Sequence, residues 1–257
     1  MHKFTLAILL AAALYAQSSG PLTPAQRTQY MRAACKGKVN AKGECTACLG
    51  SGEAGITDLA DAVPGSFTAP GSQKEVVLFT TSTACEPHAN NFGGAVLLRF
   101  ENGAWRNVHY EPGITGETLR VLHVPSGRDL LVSQGGFVQS GQVDSWISVI
   151  TVSNGGFKEN MLLRVSDPGG TQCDPKDPIV MHQGSIKKVE VVPGGIHAQV
   201  QVVTSHQRGD ADGACTQIPG SSKTTKLYDL EYVLQGDKVV VAPSSAATAA
   251  LLKKLVE

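Results

Sequence analysis

The sequence lacks an excess of charge of either sign. Its 257 residues contain 22 Lys and Arg and 22 Asp and Glu, which gives a formal net charge of +0 at pH 7. Binding to nucleic acid depends on clustered basic residues, and attraction to an anionic membrane surface depends on them too. The balanced charge therefore argues against both kinds of partner.

Long apolar runs are also missing beyond the N-terminus. Lys3 precedes an apolar run from Phe4 to Leu14, which has the length of a signal-peptide core and is too short to span a bilayer. No later stretch approaches the roughly 18 apolar residues that a transmembrane helix needs. We therefore predict a signal peptide at residues 1–16, no transmembrane segment, and an exported protein that is periplasmic or secreted.

Common catalytic and nucleotide-binding motifs are absent from the sequence. It contains no Gly-x-Ser-x-Gly elbow, no P-loop, no dinucleotide fingerprint and no His-Glu-x-x-His zinc motif. Nothing in the sequence therefore indicates an enzyme class, although two carboxylates from distant loops can still meet in a fold.

What the sequence does contain is one pattern repeated three times. A Val-Pro turn, an apolar strand, a variable loop and a closing hairpin follow one another in this fixed order. The Val-Pro turns begin at Val63, Val124 and Val192, the strands cover 75–81, 129–133 and 198–204, and the hairpins turn at 101–103, 154–156 and 235–237. Each unit has room for up to four antiparallel strands. We predict an all-β fold of three antiparallel β-meander units that is propeller-like, with a β-sandwich as the alternative.

Short helices are predicted at both ends of the repeats. Thr23, Pro24 and Gln26 form a helix start with a capping box, and this helix should reach about Cys35. An Ala-rich and Leu-rich tail from Ser244 to Glu257 predicts a second helix that is capped by serine. Residues 17–55 are expected to form a helix and a Cys-rich loop, and 56–257 a β-repeat domain, within one globular unit (17–257).

Six cysteines follow the predicted signal peptide, and an even number in an exported chain favours disulfides. Their places in the repeats predict a Cys173–Cys215 bond, while Cys35, Cys45, Cys48 and Cys85 should form two further bonds of undetermined pairing. The Cys45-Thr-Ala-Cys48 spacing leaves two alternatives open, a redox pair or part of a four-thiolate zinc site.

The middle unit resembles a known repeat. Residues 119–132, which end in Arg128-Asp129-Leu130-Leu131-Val132, and residues 146–157, which contain Asn154-Gly155-Gly156-Phe157, are similar to a blade of the FG-GAP or VCBS type of β-propeller. The resemblance implies a blade-like unit and is best in residues 119–157. The turn that carries calcium-binding Asp residues in that family is replaced here by Val124-Pro125-Ser126-Gly127, so no functional residue carries over.

Two loops contain most of the candidate polar chemistry. The first places Glu86, His88, Asn90 and Asn91 next to Cys85, and these side chains either bind a ligand or hydrogen-bond their own turn. The second places Asp210 and Asp212 before Cys215, and a Cys173–Cys215 bond would bring them toward further carboxylates, namely Asp167, Asp174 and Asp177. Such a group suits Ca²⁺ or forms a solvated acidic loop.

These features favour a non-catalytic binding or scaffold protein of the cell envelope or extracellular space. Its partner is expected to be a protein or a glycan, bound by loops at one edge of the β-repeat scaffold. The alternative is a metal-assisted or carboxylate-based hydrolase that acts on an extracellular polymer. A third possibility is assembly through open sheet edges, because three units leave strands without neighbours.

Overall fold

The computed structural model describes residues 22–71, 74–83, 85, 93–114, 118–139, 141–170 and 172–257. Within these ranges the protein is almost entirely antiparallel β-sheet, with one short helix near each end. The all-β prediction with short terminal helices is confirmed. The predicted signal peptide lies outside the described residues.

The first helix, α1, covers Pro24–Ala34 and begins as the sequence predicts. The Gln26 amide donates to Thr23 Oγ1 at 3.2 Å, and the Thr23 amide donates to Gln26 Oε1 at 3.0 Å, which completes the capping box. Tyr30, Met31 and Ala34 form its buried face. The helix is therefore fixed at its start by local chemistry and along its length by packing.

The first sheet contains five strands in sequence order, β1-β2-β3-β4-β5. Their bounds are β1 Cys45–Ala47, β2 Ala54–Gly65, β3 Glu75–Thr83, β4 Gly93–Glu101 and β5 Ala104–Pro112. Because β1 pairs with β2, the Cys-rich loop adds a strand to the first repeat.

The second sheet contains four strands in the order β6-β7-β8-β9. Their bounds are β6 Thr118–His123, β7 Asp129–Gln139, β8 Gln142–Ser153 and β9 Gly156–Asp167. The predicted Asn154-Gly155 hairpin joins β8 to β9.

The third sheet has the order β10-β11-β13-β14, with the short β12 paired to the end of β11. Their bounds are β10 Ile179–Val192, β11 Gly195–Gly209, β12 Cys215–Gln217, β13 Lys223–Gln235 and β14 Lys238–Val241. A 3-10 turn at Pro243–Ser245 leads into helix α2, Ala246–Val256.

The three sheets pack face to face in a stack. The outer face of the first sheet packs on α1, and its inner face packs on the second sheet. The other face of the second sheet packs on the third sheet and on α2. Alternation along β3 divides its apolar run between the two sides, with Val76 and Leu78 toward α1, and Val77 and Phe79 toward the second sheet. Strand β3 is therefore covered on both faces.

Helix α2 departs from its prediction at its start. It begins at Ala246 after Ser245, and neither Ser244 nor Ser245 caps it with a side-chain hydrogen bond. The Ser245 hydroxyl instead accepts the Glu231 amide of β13 at 2.9 Å, so the serine is used to attach the helix to the sheet. Neither described helix has the length and apolarity that a membrane crossing requires.

Candidate functional site

Strands β3, β7 and β11 occupy the same place in the three units and run in a common direction through the stack. The molecule therefore has two different edges. At one edge lie the turns before these strands, residues 66–71, 124–128 and 193–194, here called the turn edge. At the other lie the connections after these strands, whose described residues are 85, 141 and 210–222, together with 168–170 and 172–178, here called the loop edge.

Two buried carboxylates fix this alignment for the first two sheets. Glu75, the first residue of β3, accepts the amides of Phe67 and Thr68, each at 2.9 Å. Asp129, the first residue of β7, accepts the Ser66 amide at 2.6 Å and returns its own amide to the Ser66 carbonyl. Both strands therefore begin against the same turn. Since Phe79 and Leu131 also share one core cluster, β3 and β7 run side by side and end at the same edge.

The third sheet is attached to the second at both edges. At the turn edge, Asp237 Oδ2 accepts from Arg128 at 3.3 Å. At the loop edge, the Gly170 amide donates to the Gly141 carbonyl at 2.9 Å, which joins the β7–β8 hairpin tip to the connection between β9 and β10. The β7–β8 hairpin tip and the connection that leads to the third sheet are thus brought together.

Three disulfides hold the loops, and all six cysteines take part. They are Cys35–Cys45, Cys48–Cys85 and Cys173–Cys215. The last is the pair that the sequence analysis expected, and the other four cysteines form two bonds, also as expected. Cys45 and Cys48 bond to different partners, so the structure contains neither a Cys-x-x-Cys redox pair nor free thiolates for zinc.

The first candidate loop is described only at its ends. Glu86, His88, Asn90 and Asn91 lie outside the described residues, between Cys85 and Gly93. Cys85 is 2% exposed and is bonded to Cys48, and Gly93 begins β4. The anchors of this loop are therefore buried at the loop edge, as a loop on a rigid scaffold requires.

The second candidate loop is described in full, and its carboxylates accept hydrogen bonds from nearby backbone amides. Asp210 Oδ1 accepts the amides of Asp212 and Ala214 at 3.0 and 2.9 Å, so its carboxylate closes its own turn. Asp174 accepts the Lys176 amide in the same way, at 2.7 Å. Across the described ranges, no group of three or more His, Cys, Asp or Glu residues is placed to hold a metal ion. Asp210 and Asp212 both lie at the loop edge, and Ca²⁺ binding there stays a prediction.

The β7–β8 hairpin also forms part of this edge, although no sequence motif indicated it. Following Leu131 at two-residue spacing, Ser133, Gly135 and Phe137 lie on the face of β7 that is turned toward the first sheet. Trp146 lies opposite Gly135, and a Cβ at Gly135 would come within 2.6 Å of its ring. The glycine thus leaves the space that the indole occupies. The face changes from apolar in the core to aromatic and polar at its end.

Polar groups on the same face are partly paired. Asp144 accepts from Arg164 at 2.7 Å, and also from Gln142 and Ser166. The hydrogen bond from Arg164 holds the pKa of the Asp144 carboxyl below its ordinary value, although burial opposes this shift. By contrast, Ser133 Oγ and Trp146 Nε1 are buried without any hydrogen-bond partner in the described structure. Unsatisfied polar atoms are uncommon in protein interiors and here they lie just below the loop edge.

Exposed apolar side chains are concentrated at the loop edge. Val138 is 71% exposed at the hairpin tip, and Val180 is 52% exposed at the start of β10. Other large apolar side chains exposed at this edge are Ile56, Phe137, Val143 and Ile179. Large exposed apolar groups that are close together on a protein surface mark interaction sites, whereas scattered ones carry no such meaning.

A separate cleft of about 490 Å³ lies on the far side of the first sheet, between the end of α1, the Cys-rich loop and β5. Among its lining residues, Tyr110 donates through its hydroxyl to the Gly93 carbonyl at 3.4 Å, and His109 contacts Glu111 at 3.1 Å. Burial raises the pKa of Tyr110. The Tyr110 hydrogen bond links β5 to β4, whereas His109 and Glu111 both lie on β5.

Comparison with known proteins identifies no family for this chain. The chain matches no protein-family model, no curated protein and no solved structure. The blade-like resemblance of residues 119–157 therefore stays a prediction, and the function has to be argued from the loop edge itself.

Proposed function

We propose that this protein is an exported, non-catalytic binding or scaffold protein of the cell envelope or extracellular space, which holds a protein or glycan partner at its loop edge. The observation that carries the proposal is the concentration of exposed apolar side chains at that edge, with Val138 at its tip. The turn edge instead uses buried carboxylates to fix the scaffold.

Export is supported by the state of the cysteines. Three disulfides, with no free cysteine, suit an oxidising compartment, since cytosolic thiols are kept reduced. The apolar run from Phe4 to Leu14 agrees with this reading, as it has the length of a signal-peptide core.

Binding at the loop edge is supported by the way the loops are mounted. Disulfides anchor Cys85 and Cys215, and the Gly141–Gly170 hydrogen bond joins the hairpin tip to the neighbouring connection. A preorganised surface loses little conformational entropy on binding, which favours affinity. We further propose that the three stacked sheets are propeller-type blades, in keeping with their face-to-face packing and the repeated Val-Pro turns.

The test compares the two edges with matched substitutions. Val138→Lys and Val180→Lys place a charge on the loop edge, and Val192→Lys does so at the turn edge, where Val192 is 39% exposed. The probes are 1-anilinonaphthalene-8-sulfonate, which reports exposed apolar surface, a glycan array, and a panel of purified envelope proteins.

We expect dye fluorescence and partner binding to be lost in the two loop-edge variants and retained in Val192→Lys. A double variant at positions 138 and 180 that binds the same panel members as the unaltered protein would overturn the proposal. Equal losses in all three variants would also contradict it, because the effect would then not belong to one edge.

A further inference from the structure

Strand β13 has one side without a neighbouring strand. Along its whole length it pairs with β11, but on its other side β14 covers only Tyr232–Gln235. Within the described structure, no strand pairs with the outward side of 223–230. An exposed strand edge of this length is a template for pairing with another chain.

The backbone groups that point outward can be identified from the neighbouring contacts. The Glu231 carbonyl accepts the Ala242 amide at 2.8 Å, and the Glu231 amide donates to Ser245 Oγ at 2.9 Å, both on the outward side. Pairing with β11 continues without a bulge from Ser205↔Lys223 to Gly195↔Val233. The backbone amides and carbonyls of successive β13 residues therefore point alternately toward β11 and outward. Thr225, Leu227 and Asp229 therefore present their amides and carbonyls outward, and no described group bonds to them there.

The side chains on this edge include a large apolar one, Leu227, that is exposed to solvent. Leu227 is 55% exposed, on the face of the third sheet that no other sheet covers, together with Thr225 and Asp229. It lies far along the strand from the apolar cluster of the loop edge. Burial of Leu227 against an apolar partner would remove its contact with water.

We propose that β13 pairs in antiparallel fashion with β13 of a second copy of this chain, around a two-fold axis at Leu227. In a two-fold antiparallel pair, residues opposite each other must share the same face and the same hydrogen-bonding type. The axis must therefore pass beside a residue that lies opposite the same residue of the second copy. With Leu227 there, the outward amides and carbonyls of Thr225, Leu227 and Asp229 all find partners in the second copy.

Charge selects this register over its neighbours. It places Lys226 opposite Tyr228 of the second copy on the inner face. The paired segment is 224–230, because Ala242 and Ser245 occupy the outward side of Glu231. An axis at Lys226 or at Asp229 instead places like charges opposite each other, which is destabilising. An axis at Tyr228 places Leu227 opposite Asp229 and leaves the leucine without an apolar partner. Lysines on strand edges usually discourage pairing, but in this register Lys226 has a favourable partner and Lys223 lies outside the paired segment.

The pairing joins two third sheets into one continuous sheet. Because the two copies of β13 run in opposite directions, the two loop edges point away from each other. If the loop edge binds a partner as proposed above, the dimer connects two partners at opposite ends; the pairing itself does not depend on that function.

The first measurement is the molar mass in solution, by size-exclusion chromatography with light scattering over a roughly hundredfold range of concentration. We expect the mass to rise to twice that of one chain at the high end. Leu227→Lys places two lysines at the axis and should keep the protein monomeric. The matched control Leu251→Lys changes a 41% exposed leucine on α2 and should leave the dimer intact. A monomer at every concentration in the unaltered protein overturns the proposal.

The second measurement tests the register by disulfide trapping. The protein has no free cysteine, so only the introduced thiols are available to form a new bond. In Leu227→Cys the two new thiols lie opposite each other, within the Cα separation of about 4.4–6.8 Å that a disulfide spans. In Thr225→Cys they are offset by four residues, about 13 Å along the strands, and should not bond. The double variant T225C/D229C should regain cross-linking. Equal cross-linking of L227C and T225C, or none in L227C, overturns this register.

Discussion

The turn edge and the loop edge are built from the same repeat, yet they are held together by different chemistry. At the turn edge, the carboxylates of Glu75 and Asp129 are buried and accept backbone amides from one shared turn. At the loop edge, disulfides hold the connections and apolar side chains such as Val138 are exposed. Polar networks that are fully satisfied fix the relative position of the sheets, which leaves the other edge available for contact with a partner.

The largest effect on stability should come from Glu75→Ala at the turn edge. Glu75 is 1% exposed, and its loss leaves the amides of Phe67 and Thr68 without their acceptor and removes the Glu75–Arg99 ion pair. We expect a decrease of about 3–5 kcal/mol in the free energy of unfolding, measured in urea. The control is Glu101→Ala, since Glu101 is an exposed partner of Arg99 at 3.5 Å and should contribute about 0–1 kcal/mol. Similar losses for both would mean that the buried network does not hold the turn edge.

The next largest effect should come from opening the loop-edge disulfide with Cys173→Ser and Cys215→Ser together. This bond closes a segment with a sequence separation of 42, and its removal should cost about 2–4 kcal/mol. Hydrogen exchange should become faster at the amides of Gly209 and Ala214 and stay unchanged at Ser66 and Thr68. Faster exchange at both edges would show that they are not independent.

A smaller effect is expected from Asp144→Asn on the β7–β8 hairpin, of about 1–2 kcal/mol near neutral pH. The Arg164 hydrogen bond lowers the pKa of Asp144, so its stabilisation is present above the unfolded value of about 3.9 and is lost as the pH falls through the folded value. The difference in unfolding free energy between D144N and the unaltered protein should therefore shrink as the pH falls below about 4. A difference that stays constant with pH would contradict the assigned ion pair.

The smallest effect on stability should come from Val138→Lys, although it should abolish binding. Val138 is 71% exposed, so a lysine there should change the unfolding free energy by no more than about 0.5 kcal/mol. Val192→Lys at the turn edge should change the unfolding free energy as little as Val138→Lys does, but it should retain binding. A large loss of stability in V138K would place this side chain in the core instead of at a contact surface.

Several elements could be predicted from the sequence because their causes are local. The capping box of Thr23 and Gln26, the two-sided apolar run of β3 and the three Val-Pro turns all follow from residues close in the chain. The Cys173–Cys215 bond was also predicted, from the places of the cysteines in the repeat plan. Elements like these depend on periodicity and turn chemistry, which one sequence displays.

Other features of the two edges were not recognised from the sequence. Glu75 and Asp129 open equivalent strands, and this repeated acidic position was a signal that could have identified the turn edge. Asp210 was a candidate ligand by residue type, yet its carboxylate closes its own turn. Phe137 and Trp146 were missed because an apolar residue in a strand predicts a core position unless the end of the neighbouring sheet is known.

The sequence by itself determined the three β-units, the helix at Thr23 and a chain suited to disulfides, since propensity, alternation and capping act over a few residues. Only the tertiary structure decided which faces are covered, which cysteines among the first four meet, and which edge of β13 stays open. The physical reason is that burial depends on what packs against a strand. In this molecule that neighbour comes from another repeat, dozens of residues away.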